Sequence, residues 1–434
     1  MIDSISRRNF LKESSVLAAG LATLGSAASL RAAKSPNEKV VVAIIGCNAR
    51  GMAHIAGYLP LPNAEIGYLC AVDSRAVAKG IAAVVKKQQR KPQGVTDFRT
   101  ILNNPDVDAV SIATPDHWHA PATILACAAG KHVYVEKPGS HNLHESALMV
   151  AAARKHKRVV QMGNQRRSWP WVIESIDALH AGEIGKVFFA RGWYTNHRDS
   201  IGHGKPAPVP EWLDYSLWQG PAPERPFHDN VIHYNWHWFW NWGTGELGNN
   251  GVHALDLARW GLRVELPQRV TCGGNRYFYQ DDWETPDTII ATFDFADKGI
   301  TWEGQSCAPR GFEGATVGVN FYGEKGCMAM AGSNCTIYDL NNKVVREIKG
   351  KREGLFDFDS IHFANFLDGI REGKELRAEI AEGQKSTVLC HLGNIAWRTG
   401  HTINFDPKAR KIVGDDAASA LVSRTYREGW EPKV

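Results

Sequence analysis

Apolar runs alternate with helical patterns along the first part of the chain. The segment KVVVAIIG at 39–46 is rich in β-branched residues and has no polar alternation, which is typical of a strand buried on both faces. Comparable strand patterns, separated by helical ones, follow at 65–73, 107–114, 131–135 and 158–163. Strands that alternate with helices indicate right-handed βαβ units, so the sequence predicts an α/β domain with a doubly wound parallel sheet over 34–163.

The pattern changes after about residue 163. Helical signals become sparse, and strand-like segments recur at 187–193, 288–295, 317–321 and 327–331. Two helical patterns follow, at 360–372 and 383–399. We therefore expect a second domain over 164–434, of the α+β type, with a large and mostly antiparallel sheet.

The first 33 residues are predicted to be a signal peptide and not part of the fold. Arg7 and Arg8 precede Phe-Leu-Lys, and a mild apolar stretch rich in Ala and Gly runs over 15–30. This stretch is shorter than the roughly 20 residues that span a bilayer. Paired arginines are typical of the twin-arginine export signal, with an ordinary signal or a basic N-terminus as alternatives. We expect a periplasmic protein without membrane insertion after signal removal.

Composition excludes several classes of partner. The 434 residues include 50 Lys and Arg against 46 Asp and Glu, without a block of like charge, so neither nucleic acid nor an anionic membrane surface is indicated as a partner. Eight cysteines show no C-x-x-C pair, which favours ordinary packed thiols. His117 and His119 could suggest a metal site, but no third candidate ligand lies near them at a zinc-like spacing. No metal is therefore expected.

A glycine-containing turn joins the first strand to the first helix. It reads Gly46-x-Asn48-x-x-Gly51, where the usual dinucleotide fingerprint of Rossmann domains has glycine at the middle position. Asn tolerates left-handed backbone angles, so the turn can be retained. The pyrophosphate would lie on backbone N–H groups at the helix N-terminus, and the predicted contacts are Gly46, Asn48, Ala49, Arg50 and Gly51.

An acidic residue follows the second strand. Asp73 lies where a carboxylate hydrogen-bonds the adenosine ribose, which favours NAD over NADP, although Arg75 keeps NADP open. A helix N-cap is the alternative role for Asp73. After the third strand come Thr114 and Pro115, and we predict that Pro115 and His119 contact the nicotinamide ribose.

Four motifs together resemble the Gfo/Idh/MocA oxidoreductases, over nearly all of the chain beyond residue 33. They are the first turn, the segment TPDHWH at 114–119, the triplet Glu136-Lys137-Pro138, and LGNNGVHALD at 247–256. The tail LCHLGNIA at 389–396 is similar to exported bacterial members. The resemblance implies a Rossmann domain followed by an α+β domain whose sheet serves in homo-oligomers. It also implies that Glu136 and Lys137 lie at the nicotinamide.

The resemblance places the proton-transfer residues on the second domain, in a pattern whose histidine is His253 and whose aspartate position holds Asn249. Oxidation of a secondary alcohol removes a proton as hydride leaves carbon, and an imidazole with a pKa near 6.5 suits that task. Lys137 would stabilise alkoxide character. Asn249 can orient His253 but cannot raise its pKa, so Asp256 could supply the charge if the segment is helical.

Tryptophans alternate within FHDNVIHYNWHWFWNW at 227–242. On a strand, a spacing of two places them on one face, which suits the C–H face of a pyranose, and an aromatic core layer is the alternative. Polyol hydroxyls need well-placed polar groups, so a carbohydrate or cyclitol is the favoured substrate class. The predicted substrate contacts are Arg166, Tyr194, Trp236, His237, Trp238, Asn249 and His253.

These features predict hydride transfer between NAD, or NADP, and a secondary alcohol of a sugar, glycoside or cyclitol, such as the ring C3 hydroxyl. One alternative is an NAD-dependent glycosidase that oxidises, eliminates and reduces. A non-catalytic sensor is the other. Because little free NAD exists outside the cytoplasm, we expect tight binding of the cofactor.

Overall fold

The computed structural model describes residues 39–350 and 357–434. Within them, the first sheet has six strands in the order β3-β2-β1-β4-β5-β6, and every neighbouring pair is parallel. This is the order of a dinucleotide-binding sheet, with its topological switch point between β1 and β4. The strands are β1 (Val40–Ile45), β2 (Ala64–Cys70), β3 (Gln93–Val95), β4 (Ala109–Ile112), β5 (His132–Val135) and β6 (Val160–Met162).

Helices cover both faces of the first sheet, because its central strands are apolar on both sides. They are α1 (Ala49–Tyr58), α2 (Ser74–Val84), α3 (Arg99–Leu102), α4 (Asp116–Ala128) and α5 (Leu143–Lys155). The predicted doubly wound sheet is thereby confirmed. Sequence patterns missed the short β3 and α3, which lack a full period of apolar residues.

The second sheet is large and mostly antiparallel. Its main path, in the part of the chain that the structure describes, runs β15-β14-β13-β12-β7-β10-β9-β8-β16-β17, and β11 pairs with β7. Only β7 and β10 pair in parallel among these strands. The strands are β7 (Val187–His197), β8 (Arg269–Asn275), β9 (Thr288–Asp294), β10 (Gly299–Gln305), β11 (Cys307–Ala308), β12 (Val317–Gly323), β13 (Gly326–Ala331), β14 (Asn334–Asp339), β15 (Val344–Lys349), β16 (Ile403–Asp406) and β17 (Lys411–Ile412).

The remaining helices are α6 (Pro170–His180), α7 (Tyr215–Gln219), α8 (Val252–Leu262), α9 (Asp357–Glu372), α10 (Ile380–Thr399) and α11 (Asp416–Ser419). Helices α8 and α10 pack on the second sheet, and α9 packs back on α1 of the first domain. The predicted α+β architecture of the second domain is confirmed. Short 3-10 turns occur at Gln165–Ser168, Asn235–Trp238 and Phe312–Gly314, and a π-helical turn at Leu247–Gly251.

Two sequence predictions concern regions or boundaries that the structure does not test. The signal peptide at 1–33 lies outside the described residues, and the domain boundary at 163/164 stays a prediction. Over the described ranges, none of the helices combines the length and hydropathy that crossing a membrane requires.

Candidate active site

A cavity of about 310 Å³ opens at the carboxyl ends of β1, β2, β4 and β5, where parallel sheets bind their ligands. Loops of the first domain form one side, and the segment from Leu217 to His237 contributes the other. Of the predicted contacts, Gly51, Arg75, Arg166, Tyr194, Trp238 and His253 do not line this cavity. Those that do are Gly46, Asn48, Ala49, Arg50, Asp73, Thr114, Pro115, His119, Glu136, Lys137, Trp236, His237 and Asn249.

The first turn is built for close backbone approach. Gly46 has a φ of +88°, and a Cβ there would lie 2.5 Å from the Ala113 carbonyl oxygen. A Cβ on Gly51 would lie 1.8 Å from the Gly46 carbonyl oxygen, so both positions require glycine. The turn is retained without a left-handed residue at Asn48, whose φ is −85°, because Gly46 supplies the positive φ. The N-terminus of α1 faces the cavity and suits the pyrophosphate.

Asp73 caps α2, and it also lines the cavity in which its predicted ribose contact would lie. Its Oδ1 accepts the Arg75 backbone N–H at 2.9 Å, which caps α2, and the residue also lines the cavity. Its Oδ2 lies 2.8 Å from Nε2 of His233. Burial raises the pKa of Asp73, but the hydrogen bonds from Arg75 and His233 outweigh burial and keep the pKa below its ordinary value. The Arg75 guanidinium itself lies over the Trp212 ring at 3.4 Å.

Glu136 is the centre of a buried ionic network. Its Oε1 accepts from Nε of Arg50 at 2.7 Å and lies 3.1 Å from Nε2 of His54. Burial alone would raise the pKa of Glu136, yet Arg50 and His54 hold it well below the usual range. Arg50 also pairs with Asp359 at 2.6 Å. Arg50 and Glu136 thus border the cavity while their charges neutralise each other.

His119 ties two loops together. Its Nδ1 lies 2.6 Å from the Pro138 carbonyl oxygen, and its Nε2 lies 2.8 Å from that of Thr114. The ring therefore lies between the loop after β4 and the backbone that follows Lys137. The hydroxyl of Thr114 is buried and has no hydrogen-bond partner among the described residues, so it is free for a ligand in the cavity.

Lys137 reaches from the first domain to the second. Its Nζ donates to the backbone oxygen of Asn249 at 2.8 Å and to Oδ1 of the same residue at 3.2 Å. Burial lowers the pKa of Lys137, and the carboxylates of Glu136 and Asp116 oppose that shift. Asn249 belongs to the π-helical turn, an irregularity that is frequent at functional sites.

His253 follows Asn249 by four residues, one helical turn. Burial lowers its pKa well below 6.5, and the positive charges of Lys137 and Arg166 lower it further, so the ring is neutral at physiological pH. Its Nδ1 is buried without a hydrogen-bond partner in the described part of the chain. Asn249 therefore binds Lys137 and does not orient His253, which corrects the sequence-based interpretation.

Asp256 does not supply a charge to His253 either. Its carboxylate makes a paired contact with Arg167, at 2.8 and 2.9 Å, and accepts from the Ser386 hydroxyl at 2.7 Å. All three side chains are buried. The predicted pairing of Asp256 with His253 was based on helical spacing. In the structure, the carboxylate of Asp256 is bound by Arg167, which is distant in sequence.

Replacing Asp256 by Asn should lower the free energy of unfolding by about 3–5 kcal/mol, because it leaves the buried Arg167 without its main carboxylate partner. Urea denaturation would measure the loss. Glu174→Gln, which removes an exposed partner of Arg346, is the control and should cost less than about 1 kcal/mol. If Asp256→Asn instead shifted the pH–rate profile with little loss of stability, the result would contradict this interpretation and support the predicted pairing of Asp256 with His253.

The alternating tryptophans do not form a strand face. Residues Asn235–Trp238 form a 3-10 turn, in which side chains two apart point in different directions. Trp238 is 1% exposed and stacks on Trp283 at 4.0 Å, so its predicted substrate contact is wrong and the core alternative holds for it. Trp236 stacks on His237 at 3.6 Å, and both line the cavity.

Several lining residues were not predicted as ligand contacts. Asp116 begins α4, is buried, and accepts from the Thr244 hydroxyl at 2.6 Å, and burial raises its pKa. Its place after β4 at the switch point is a signal that sequence reasoning could have used. The aromatic lining could not be found this way, since it comes from segments that lie far apart in the sequence: Trp118 in α4, Trp218 in α7, and Tyr234.

Family comparisons agree with this architecture. Residues 40–164 match an oxidoreductase family with an NAD-binding Rossmann fold, and residues 188–283 and 314–432 match the C-terminal alpha/beta domain of the same family. Together the matches cover well over half of the chain.

Curated relatives match a shorter region. The alpha-N-acetylgalactosaminidase of Shewanella oneidensis is 31% identical over 182 residues, which cover 37% of this chain and 40% of that protein. A glycosyl hydrolase family 109 protein of Saccharopolyspora erythraea is 32% identical over 209 residues, which cover 44% of this chain and 45% of that protein. The chain thus spans less than half the length of these relatives.

Solved structures share the fold at low identity. Aldose-aldose oxidoreductase from Caulobacter crescentus, complexed with glycerol, has a TM-score of 0.65 at 18% identity. The match covers 85% of this chain and 100% of the oxidoreductase chain. Levoglucosan dehydrogenase, in complex with NADH and levoglucosan, has a TM-score of 0.68 at 19% identity. The match covers 87% of this chain and 100% of the dehydrogenase chain.

Proposed function

Since the chain belongs to the Gfo/Idh/MocA oxidoreductase family, we propose that it uses NAD to oxidise a secondary hydroxyl of a sugar, glycoside or cyclitol. The observation that carries the proposal is the placement of Lys137 against Asn249, one helical turn before His253. The ammonium of Lys137 lines the cavity. The neutral imidazole of His253 does not line it but is near enough for the charge of Lys137 to lower its pKa.

The residues present fit a dinucleotide. The turn at Gly46 and Gly51 leaves room for backbone approach, and the Thr114 hydroxyl is a buried group without a partner among the described residues. Asp73 would hold the adenosine ribose, and Thr114 and Pro115 would border the nicotinamide. When bound, NAD supplies the acceptor for the hydride that leaves the substrate carbon.

The two polar side chains divide the remaining work. Lys137 would donate a hydrogen bond to the substrate oxygen, and its positive charge stabilises the negative charge that develops there. His253 would accept the hydroxyl proton, since burial and neighbouring cations keep its ring unprotonated. Arg166 makes no ion pair within the described residues, and its charge lowers the pKa of His253, which supports a role for Arg166 on the substrate side.

A second candidate is a glycosidase without net redox change. The likeness to alpha-N-acetylgalactosaminidase favours it. Oxidation of the C3 hydroxyl to a ketone acidifies the C2 proton, loss of that proton expels the anomeric group, water adds to the resulting double bond, and hydride returns to C3. Lys137 would serve the ketone oxygen in both directions, so the two candidates share the same side chains.

Isotope transfer tests both candidates together. The NAD-loaded protein is incubated with glycosides deuterated at C3, and the nucleotide is released and analysed by mass spectrometry. Deuterium on the nicotinamide supports hydride transfer from that carbon. A keto sugar then identifies the oxidoreductase, and a released aglycone without net NADH identifies the glycosidase. Because the glycosidase returns the hydride to C3, its product is also analysed for hydrogen taken from solvent at C2. Turnover with neither deuterium on the nicotinamide nor solvent exchange at C2, or no turnover across a panel of glycosides and free sugars, contradicts the proposal.

We also propose export through the twin-arginine route, on the basis of Arg7, Arg8 and the apolar segment after them. That route accepts folded proteins, so the cofactor can be loaded in the cytoplasm. Replacing both arginines by lysine should leave the protein in the cytoplasmic fraction, while Lys12→Gln should not. Export of the double variant at the normal rate would contradict the route.

Retention of the cofactor is the corresponding prediction. Protein purified from the periplasm should keep close to one NAD per chain after dialysis, because retention without a free pool requires nanomolar affinity, about −12 kcal/mol. Denaturation followed by nucleotide analysis measures the occupancy. Empty, inactive protein that micromolar NAD restores would contradict tight binding.

A further inference from the structure

A second cavity, of about 370 Å³, shares no lining residue with the dinucleotide cavity, and we call it the cationic cavity. Its walls come from the loop after β5, the segment before the π-helical turn, the C-terminal half of α10 and the segment after α11. The lining residues are His141, Asn142, Pro223, Arg225, Trp240, Asn241, Gly243, Thr244, His391, Asn394, Ile395, Arg398, Ala420, Leu421, Ser423, Arg424 and Thr425.

Three arginines line this cavity, and no acidic residue does. Arg225 is paired with Glu284 at 3.0 Å, so its charge is compensated. Arg398 lies 5.1 Å from the Trp240 ring and has no ion pair among the described residues. Arg424 donates to the backbone oxygen of Asn241 at 2.9 Å and likewise has no ion pair in the described ranges. Two guanidinium charges at one polar cavity thus have no carboxylate partner bonded to them.

His141 adds a buried donor. Its Nδ1 lies 3.2 Å from Nη1 of Arg424, which can only donate, so Nδ1 is the acceptor. The proton of the neutral ring must then be on Nε2. This Nε2 is buried and has no hydrogen-bond partner in the described part of the chain. A buried N–H group without a partner costs about 1–3 kcal/mol, so a ligand oxygen is the natural way to satisfy it.

We propose that the cationic cavity binds a phosphate or sulfate group, either free or as the monoester of a small polar molecule. Guanidinium groups match tetrahedral oxyanions by charge and by their parallel N–H donors. Arg398 and Arg424 supply two such groups, and Nε2–H of His141 supplies a neutral donor. The volume exceeds that of a bare oxyanion, and Trp240 and Ile395 give the space an apolar wall for an attached molecule.

This cavity adjoins the proposed active site without sharing its ligand. Thr244 lines the cationic cavity, and its hydroxyl donates to Asp116, which lines the dinucleotide cavity. Binding of an oxyanion therefore does not require the proposed oxidoreductase chemistry and can be tested separately from it.

Calorimetric titration of the NAD-saturated protein tests the proposal, because NAD then occupies the dinucleotide cavity. Inorganic phosphate, inorganic sulfate and glucose 6-phosphate are the probes, and glucose is the uncharged control. We expect binding of at least one anion with a Kd below about 1 mM. Arg398→Gln and Arg424→Gln should each weaken that binding about tenfold. Arg269→Gln, which removes an exposed arginine of the second sheet, should leave it unchanged.

The outcomes separate the sources of the anion. Equal affinity for phosphate and glucose 6-phosphate supports a free oxyanion, and tenfold tighter binding of the ester supports a phosphorylated small molecule. Glucose binding as tightly as its phosphate, no binding of any anion, or binding unaffected by Arg398→Gln overturns the proposal. Arg398 makes no hydrogen bond in the described residues, so this variant decides the matter even if Arg424→Gln fails to fold.

Discussion

Lys137→Met should lower kcat about a thousandfold while the protein keeps its NAD. The substitution removes the ammonium that stabilises negative charge on the reacting oxygen, and the loss of one such donor costs a factor of about 100 to 1000. The methionine side chain has a similar length, so the cavity keeps its shape. Initial rates with the substrate found by isotope transfer would measure the change, and nucleotide analysis would confirm the occupancy.

Lys131→Met is the matched control. Lys131 is buried as well, and its Nζ donates to the backbone oxygens of Asn104 and Val107 at 2.6 and 2.9 Å, much as Lys137 donates to Asn249. It lies before β5 and away from the dinucleotide cavity, so this variant should lose stability and keep its kcat. Equal rates for wild type and Lys137→Met would exclude the assigned role of Lys137.

Acid should destabilise the protein steeply, beginning near pH 6.5. Burial lowers the pKa of His54, and it lowers the pKa of His117 to about 3, of His362 to about 4 and of His391 to about 3. Above pH 6.5 these rings are neutral whether the chain is folded or unfolded, so their contribution is constant. Below pH 6.5 these rings become protonated in the unfolded chain but stay neutral in the folded chain, so the unfolded state is favoured as the pH falls.

The expected loss between about pH 8 and pH 5 is roughly 2 kcal/mol for each of these rings. Urea denaturation at several pH values measures it. His117→Gln should reduce the proton uptake on unfolding by one. The core variant Phe363→Leu should lower stability without changing that uptake. An unfolding free energy that stays constant from pH 8 to pH 5 would contradict the role of the buried histidines.

Local patterns predicted what local physics controls. The first turn could be found from Gly46 and Gly51 because a positive φ and a close backbone contact each demand glycine at one position. All strands of the first sheet except the short β3 were likewise predicted, with end positions off by up to three residues, since burial on both faces produces continuous apolar runs.

Long-range partners could not be predicted in this way. Arg50 pairs with Asp359, 309 residues away, and Asp256 pairs with Arg167, 89 residues before it. The sequence analysis paired Asp256 with His253 because of their spacing in a predicted helix. It assigned Trp238 a substrate contact because the tryptophans alternate. In both cases a tertiary contact outweighed the local spacing, and only the folded chain shows which partner is chosen.

The indoles of Trp118, Trp218 and Trp236 line the dinucleotide cavity. Reduced nicotinamide absorbs light at the wavelengths at which indole emits, whereas the oxidised form does not. These side chains and a bound dinucleotide therefore form an energy-transfer pair inside one molecule. Quenching of the intrinsic fluorescence would follow the redox state of the cofactor in real time, without any label, and would reveal a reduced form that builds up only transiently.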